Sequence, residues 1–317
     1  MFRLKQAKTK LMVVQILAIV PFLLFIFYLF DLWFQTNRSN VLEENLNQAK
    51  LLALYINDNL NHGLKLAKSV ARSPDFMNIY NNNPELVRRT IRSLVDNNPE
   101  LSSMYILNKE GIVIQFESSM QVNNAIGTSV TDRDYYQQIM ETHKSYVSDP
   151  LVGKLTGTKI VTMGDPVIVD NEVAAIVVSS IDLKKLTKQM EKHMETKGLK
   201  YIYILDKKGN LTVSPFSDNI EVDNQEIFKN EAFFNEVSKG NDVLLDNKTM
   251  PILNDNVLGA AVRVEDFGWT VISFQRTIDI FSPLFKVQAV SWLIILCSLS
   301  FAILVISYHL KKIRIIF

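Results

Sequence analysis

Two uninterrupted apolar runs frame the chain, and between them hydrophobic positions recur first with a helical and then with a strand period. Leu11–Phe30 has one polar residue, Gln15, and no charge; Val287–Ile306 is also free of charge. Each run is about 20 residues, which at about 1.5 Å rise per residue matches a hydrocarbon core of about 30 Å. Both are therefore expected as transmembrane helices, over 11–30 and 287–308. Pro21 is tolerable in such a helix and predicts a kink. The first run is too long for the apolar core of a cleaved signal peptide, about 7–15 residues, and no small-x-small site follows it. A retained helix is expected.

Over 36–72 the pattern becomes polar and helical. Leu42, Leu46, Ala49, Ala53, Ile56, Leu60, Gly63, Ala67 and Val70 step alternately by four and three, a heptad seam. That seam serves either a helix packed on its own domain or a dimerising stalk. Ser73-Pro74-Asp75 ends the helix, because proline disfavours helical geometry in the residue before it. Glu85–Asp96 reads as a short helix closed by Asn97-Asn98-Pro99.

A strand period follows, and it occurs twice. Met104-Tyr-Ile-Leu-Asn-Lys-Glu-Gly-Ile-Val is echoed by Ile202-Tyr-Ile-Leu-Asp-Lys-Lys-Gly-Asn-Leu, Tyr105 in register with Tyr203 and Gly111 with Gly209, an offset of 98 residues. Each copy predicts a strand, a tight glycine turn and a second strand, Ile112–Phe116 or Leu211–Val213. Ile160–Thr162, Pro166–Val169 and Val173–Ser180 then continue the first copy; Pro251–Leu253, Val257–Val264 and Trp269–Phe274 continue the second. The expected fold class is α+β: a long stalk helix, two similar antiparallel subdomains over 73–182 and 199–284, and a linker helix over 183–198 between them.

Charge sets the orientation. Arg3, Lys5, Lys8 and Lys10 precede the first apolar run and Lys311, Lys312 and Arg314 follow the second, against Arg38, Arg276 and Lys286 on the inner flanks. The excess places residues 1–10 and 309–317 in the cytoplasm and 31–286 outside it. The only cysteine, Cys297, lies in the second apolar run, so the extracytoplasmic part is stabilised without disulfides, as suits a bacterial surface. A net charge of +1 without a basic block gives no nucleic-acid footprint.

Enzymatic signals fail on their surroundings. Asp266-Phe-Gly lacks the other kinase motifs. Gly153–Lys159 lacks the Gly-Lys-Ser/Thr ending of a phosphate loop. The four histidines are scattered and no Gly-x-Ser-x-Gly elbow occurs. No enzyme, cofactor or metal is expected.

The ordered set of segments resembles the double Cache sensor family: membrane helix, stalk, two stacked PAS-like subdomains, membrane helix. The strand with the turn Asn-Lys-Glu-Gly, then Thr131-Asp-Arg-Asp-Tyr-Tyr, Tyr146-Val-Ser-Asp-Pro and Val178-Ser-Ser-Ile-Asp182, follow the order of that family's membrane-distal subdomain. Phe267-Gly-Trp-Thr-Val-Ile-Ser resembles the strand closing its proximal one. The resemblance implies a distal ligand pocket lined by Arg133, Tyr135, Tyr136, Asp149 and Asp182, with Tyr105 and Tyr146 nearby; Tyr135 stands where the amino-acid-binding version has Trp or Phe.

Chemistry supports that set and also offers plainer roles. Arg133 presents a planar fork for a carboxylate, Asp149 or Asp182 a counter-charge for an ammonium, and the tyrosines a wall with polar tips. Equally, Arg133 and Asp132 suit a surface turn, the tyrosines a core, Asp149-Pro150 a turn, and Asp182 the N-cap of a helix starting at Leu183. A membrane-anchored sensor for a small molecule is expected, homodimeric through stalk and membrane helices. About ten residues follow the second apolar run, so output through a separate cytoplasmic partner is expected, or else the sensor half of a histidine kinase or diguanylate cyclase. A scaffold built on the same fold is the alternative.

Overall fold

A computed structural model describes residues 2–74, 76–120, 122, 125–193, 201–214 and 227–282, with 292, 293, 295 and 300; the side chains of 2–20, 22, 23 and 190–193 lie outside the description. Helix α1 runs unbroken over Phe2–Ala71, so the first apolar run and the stalk are one helix of 70 residues, with Pro21 inside it. At about 1.5 Å per residue it is about 105 Å long. The heptad seam faces the protein's own sheets: Ala49, Ala53, Ile56, Leu60, Ala67 and Val70 are buried in one cluster with Leu46 packed against it, and Leu42 is buried in another with Leu258 and Phe281.

Past the break at Pro74, α2 (Phe76–Asn82) and α3 (Pro84–Asn97) lead into the first sheet. Asn83 caps α3 by accepting the Leu86 N–H, and Pro84 occupies the first turn, where its missing donor costs nothing. Strands β1 (Leu101–Asn108), β2 (Val113–Ser118), β3 (Tyr146–Val147), β4 (Leu151–Val152), β5 (Lys159–Val169) and β6 (Glu172–Asp182) pair in the order β2-β1-β6-β5-β3, with β4 also on β5. Helix α4 (Asp134–Thr142) covers the sheet face opposite α1, and α5 (Leu183–His193) leaves it. The second sheet, β7 (Tyr201–Leu205), β8 (Leu211–Val213), β9 (Val243–Met250), β10 (Asp255–Arg263) and β11 (Thr270–Arg276), has the order β8-β7-β11-β10-β9, with α6 (Ala232–Ser238) before β9. The sequence repeat is thus a topological repeat. Gly111 and Gly209 both hold positive φ, 72° and 84°, in the matching turns, a conformation glycine adopts without penalty.

Period-two alternation divides each sheet between two cores. Met104 and Ile106, Val161 and Met163, and Val177 and Ile181 join the stalk cluster, while Tyr105, Leu107, Ile176 and Val178 pack under α4. In the second sheet Ile202 and Ile204 face the stalk and Tyr203 and Leu205 face away. One serine per sheet ties strand to helix: Ser179 Oγ donates to the Gly63 carbonyl at 2.8 Å, and Ser273 Oγ to Asn45 Oδ1 at 2.8 Å and Gln48 Oε1 at 3.1 Å.

Several elements differ from their sequence reading. β5 is one strand, not two, since Met163-Gly164-Asp165 continues the ladder and Pro166 falls beyond β3, where β5 has a free edge. Pro251–Leu253 lies in the turn between β9 and β10; the preceding strand is Val243–Met250, whose polar Asp246, Asn247 and Lys248 suit an exposed edge. The linker helix is described to His193, and 194–198 lie outside the described residues. Among the described residues no helix is long and apolar enough to cross a membrane. The side chains of 11–20, 22 and 23, and most of 287–308, lie outside those residues.

Candidate functional site

The register of the repeat explains where space is left. Tyr105 opposes Val178 and Tyr203 opposes Ile272, so the residues two positions away correspond: Ser103 and Ser180 in the first sheet occupy the places of Tyr201 and Phe274 in the second. On the next strand Thr162 opposes Ser180 as Gly259 opposes Phe274. In the second sheet those places are filled by rings. Tyr201 stacks on Phe274 at 5.5 Å, Tyr203 meets it edge-on at 4.9 Å, and a Cβ on Gly259 would come within 2.5 Å of the Phe274 Cβ. In the first sheet the row Ser103–Ser180–Thr162 is small and polar, and a cavity lies over it.

The cavity is lined by Ser103 and Tyr105 of β1, Val130, Arg133 and Tyr135 at the start of α4, Leu151 of β4 with 153–156 after it, and Ile160 and Thr162 of β5. Its free volume is about 10 Å³. Tyr105 donates to the Tyr135 hydroxyl at 3.1 Å. Burial pushes the Tyr105 hydroxyl up to about 12 and Tyr135 higher still, so both remain neutral donors at physiological pH. Ser180 is fully buried, with the Tyr105 hydroxyl beside it, and its Oγ has no hydrogen-bond partner of normal geometry. The Arg133 side chain is three-quarters buried at 24% exposure; its nearest carboxylate, Asp132, is 4.0 Å away, and it makes no hydrogen bond among the described residues. Lys154 closes the cavity from the β4–β5 loop by reaching Asp132 at 2.5 Å and the Ser129 carbonyl at 3.2 Å.

The other residues singled out by sequence lie around this cavity rather than in its wall. Tyr136 turns outward over Gly111 and donates to the Lys109 carbonyl at 2.8 Å. Asp182, buried at the end of β6, accepts the Lys185 N–H at 2.9 Å and so caps α5. Asp149 pairs at 2.9 Å with Lys207, from the β7–β8 turn of the second sheet. Burial lowers the Lys207 pKa, but Asp149 more than offsets this and the net shift is upward. Tyr146 is half-buried on β3, its pKa raised by burial and by Asp134. Arg133, Tyr135 and Tyr105 are thus brought together; Tyr136, Asp149, Asp182 and Tyr146 form a surrounding ring of structural contacts.

Residues 35–284 match the family model for the Cache domain of the double Cache type. The chain belongs to this Cache family. Among solved structures, the periplasmic sensory domain of the Campylobacter jejuni chemoreceptor Tlp1 has a TM-score of 0.61 at 14% identity over 78% of this chain and 99% of that one. The extracellular domain of the histidine kinase rpHK1S-Z16 scores 0.60 at 16% identity, over 76% and 96%. The ligand-binding domain of C. jejuni Tlp3 in complex with L-valine scores 0.52 at 16%, over 78% and 96%. At these identities the likeness establishes the fold. Citrate (Re)-synthase of Syntrophus aciditrophicus strain SB is 24% identical over 115 residues, 34% of this chain but only 18% of that protein, too little to bear on activity.

Within the Cache domain two larger grooves, each about 540 Å³, lie open to solvent. One is lined by Phe34, Arg38 and Phe281, the other by Arg72, Phe76 and Ile168. Their guanidinium groups are committed, Arg38 to Asp246 and Arg72 to the buried Asp165, whereas Arg133 in the small cavity over the first sheet makes no hydrogen bond among the described residues. No cluster of three potential metal ligands occurs among the described residues. Sequence reasoning missed the serine–threonine row and the loop 153–158. The only prior signal for the row was the repeat itself, in which Ser103 aligns with Tyr201.

Proposed function

We propose that this chain is a membrane-anchored extracytoplasmic sensor whose distal Cache subdomain binds a small carboxylate-bearing molecule through Arg133. The observation that carries this reading is Arg133 itself: a side chain three-quarters buried that makes no hydrogen bond among the described residues, on the wall of a cavity whose floor is hydroxyl-lined. Burying donors without partners costs free energy, and a bidentate carboxylate is the group that best recovers it. L-valine in the Tlp3 domain puts amino acids among the candidates. As folded, the cavity has room for about one water. Binding therefore requires the 151–158 segment to move outward, which supplies the two states that a ligand must distinguish in order to signal.

The apolar runs 11–30 and 287–306 anchor the protein as a two-pass membrane protein with both ends cytoplasmic, in contact with lipid. Leu24, Phe25, Phe27, Tyr28 and Leu29 on α1 are exposed, as a lipid-facing helix requires. Two copies pair along the stalk, where Leu51 and Leu54 remain exposed on the face opposite the seam, and output passes to a separate cytoplasmic partner.

The test is a thermal-shift screen of the purified chain with amino acids, small carboxylates and amines. A ligand at one hundred times its Kd should stabilise the native state by about 2.7 kcal/mol. The shift should vanish in Arg133→Ala. A folded protein that no member of a broad library stabilises would favour the scaffold reading.

A further inference from the structure

We infer that the ligand class of this site is a small hydroxy acid, an anion bearing hydroxyl groups and no ammonium. The inference rests on the assignment of Arg133 as the carboxylate anchor.

Three observations converge on it. First, the charged residues of the cavity wall are Arg133 and Lys154, and none of the lining residues is acidic. Lys154 is held by Asp132 at the rim, and Arg133 stands 4.0 Å from that same carboxylate with no hydrogen bond among the described residues. Second, the carboxylates around the cavity already have partners: Asp132 pairs with Lys154, Asp134 beside Arg133 accepts the Tyr135 N–H at 2.7 Å, Asp182 caps α5 through the Lys185 N–H, and Asp149 holds the Lys207 ammonium. Lys207 comes from the other sheet, so the place where a ligand ammonium would find Asp149 is taken by a protein ammonium. Third, what the floor does offer is hydroxyls. Ser103, Ser180 and Thr162 lie side by side across three strands; Ser103 and Thr162 line the cavity, and Ser180 is fully buried between them with the Tyr105 hydroxyl beside it. A hydroxyl both donates and accepts and can pair with each of these groups. An ammonium only donates, and its charge in this enclosed space would meet Arg133 without a carboxylate in the cavity wall to answer it.

The experiment is calorimetric titration of the full chain in lipid nanodiscs with two matched pairs, L-lactate against L-alanine and L-malate against L-aspartate, in which only hydroxyl and ammonium are exchanged. At least one hydroxy acid should bind at least about tenfold tighter than its amino-acid counterpart. Binding should be lost in Arg133→Ala and weakened in Arg133→Lys, which keeps the charge but not the fork. Amino acids binding equally or better would overturn the inference, and so would no binding by any of the four. The anchor assignment fails separately: an acid that binds Arg133→Ala and Arg133→Lys as tightly as the parent, with both variants melting normally, would show that the site lies elsewhere.

Discussion

The hydroxyl of Tyr105 donates to that of Tyr135 across 3.1 Å, both rings buried under the first turn of α4. Burial raises both pKa values, Tyr105 to about 12 and Tyr135 beyond it, against about 10 in an unfolded chain. Above pH 10 the native state therefore keeps protons that the unfolded state has lost. The stability this represents is fully present below pH 10 and falls as pH rises, by about 1.4 kcal/mol per pH unit for each phenol. Thermal melts from pH 8 to 11.5 should show a steep alkaline decline, shallower in Tyr135→Phe. An identical decline in Tyr135→Phe and Tyr105→Phe would mean that other groups control it.

Lys154 fastens the β4–β5 loop over the cavity through Asp132 and the Ser129 carbonyl. Exposed pairs of this kind contribute less than about 1 kcal/mol, so Lys154→Met should melt within a few degrees of the parent. Its local effect should be larger. Amide hydrogen exchange over 153–158 should quicken several-fold while exchange in β5 and β6 stays unchanged. Unaltered exchange in the loop would show that Lys154 does not hold it.

Asp149 and Lys207 join the two sheets across a partly shielded 2.9 Å contact. A double-mutant cycle with Asp149→Asn and Lys207→Met should give a coupling of about 0.5–1 kcal/mol by chemical denaturation. A coupling near zero would mean that solvent screens the pair completely.

Asp165 is fully buried, and its carboxylate accepts from Arg72 at 3.0 and 3.1 Å and from Ser145 at 2.6 Å. Arg72→Met strips a buried charge of its counterion and should cost about 2–3 kcal/mol, toward the low end for broken buried pairs because Arg72 is itself mostly exposed. Asp165→Asn, which removes the charge rather than its partner, should cost less. The reverse ranking in denaturant midpoints would contradict this assignment.

The stalk seam and the strand repeat were legible because each rests on a period: apolar residues from Leu42 to Val70 at heptad steps, and the Tyr105 and Tyr203 segments in the same register. Edge strand β9 was not, because Asp246, Asn247 and Lys248 erase its alternation. At the site, the sequence offered Arg133, Tyr135, Tyr136, Asp149 and Asp182 with Tyr105 and Tyr146, of which Arg133, Tyr135 and Tyr105 share one cavity wall, whereas the partner of Asp149 lies 58 residues away on the other sheet, beyond the reach of local pattern. Ser103, Ser180 and Thr162 carry no signal singly. Their meaning is the absence of the Tyr201 and Phe274 rings that fill the places of Ser103 and Ser180 in the second sheet.

The core beneath the stalk has a consequence for how the molecule comes apart. A single buried cluster takes in Ile56 and Leu60 of α1, Val161 and Met163 of the first sheet, and Ile202, Ile204 and Val271 of the second. The halves are duplicated in topology, yet neither closes its own interior. Excising residues 201–282 as a separate fragment would leave one face of its sheet bare where α1 had covered it, and that fragment should aggregate or bind hydrophobic dyes. The intact chain should accordingly lose both sheets in one cooperative step, with no intermediate in which one half stands while the other has melted.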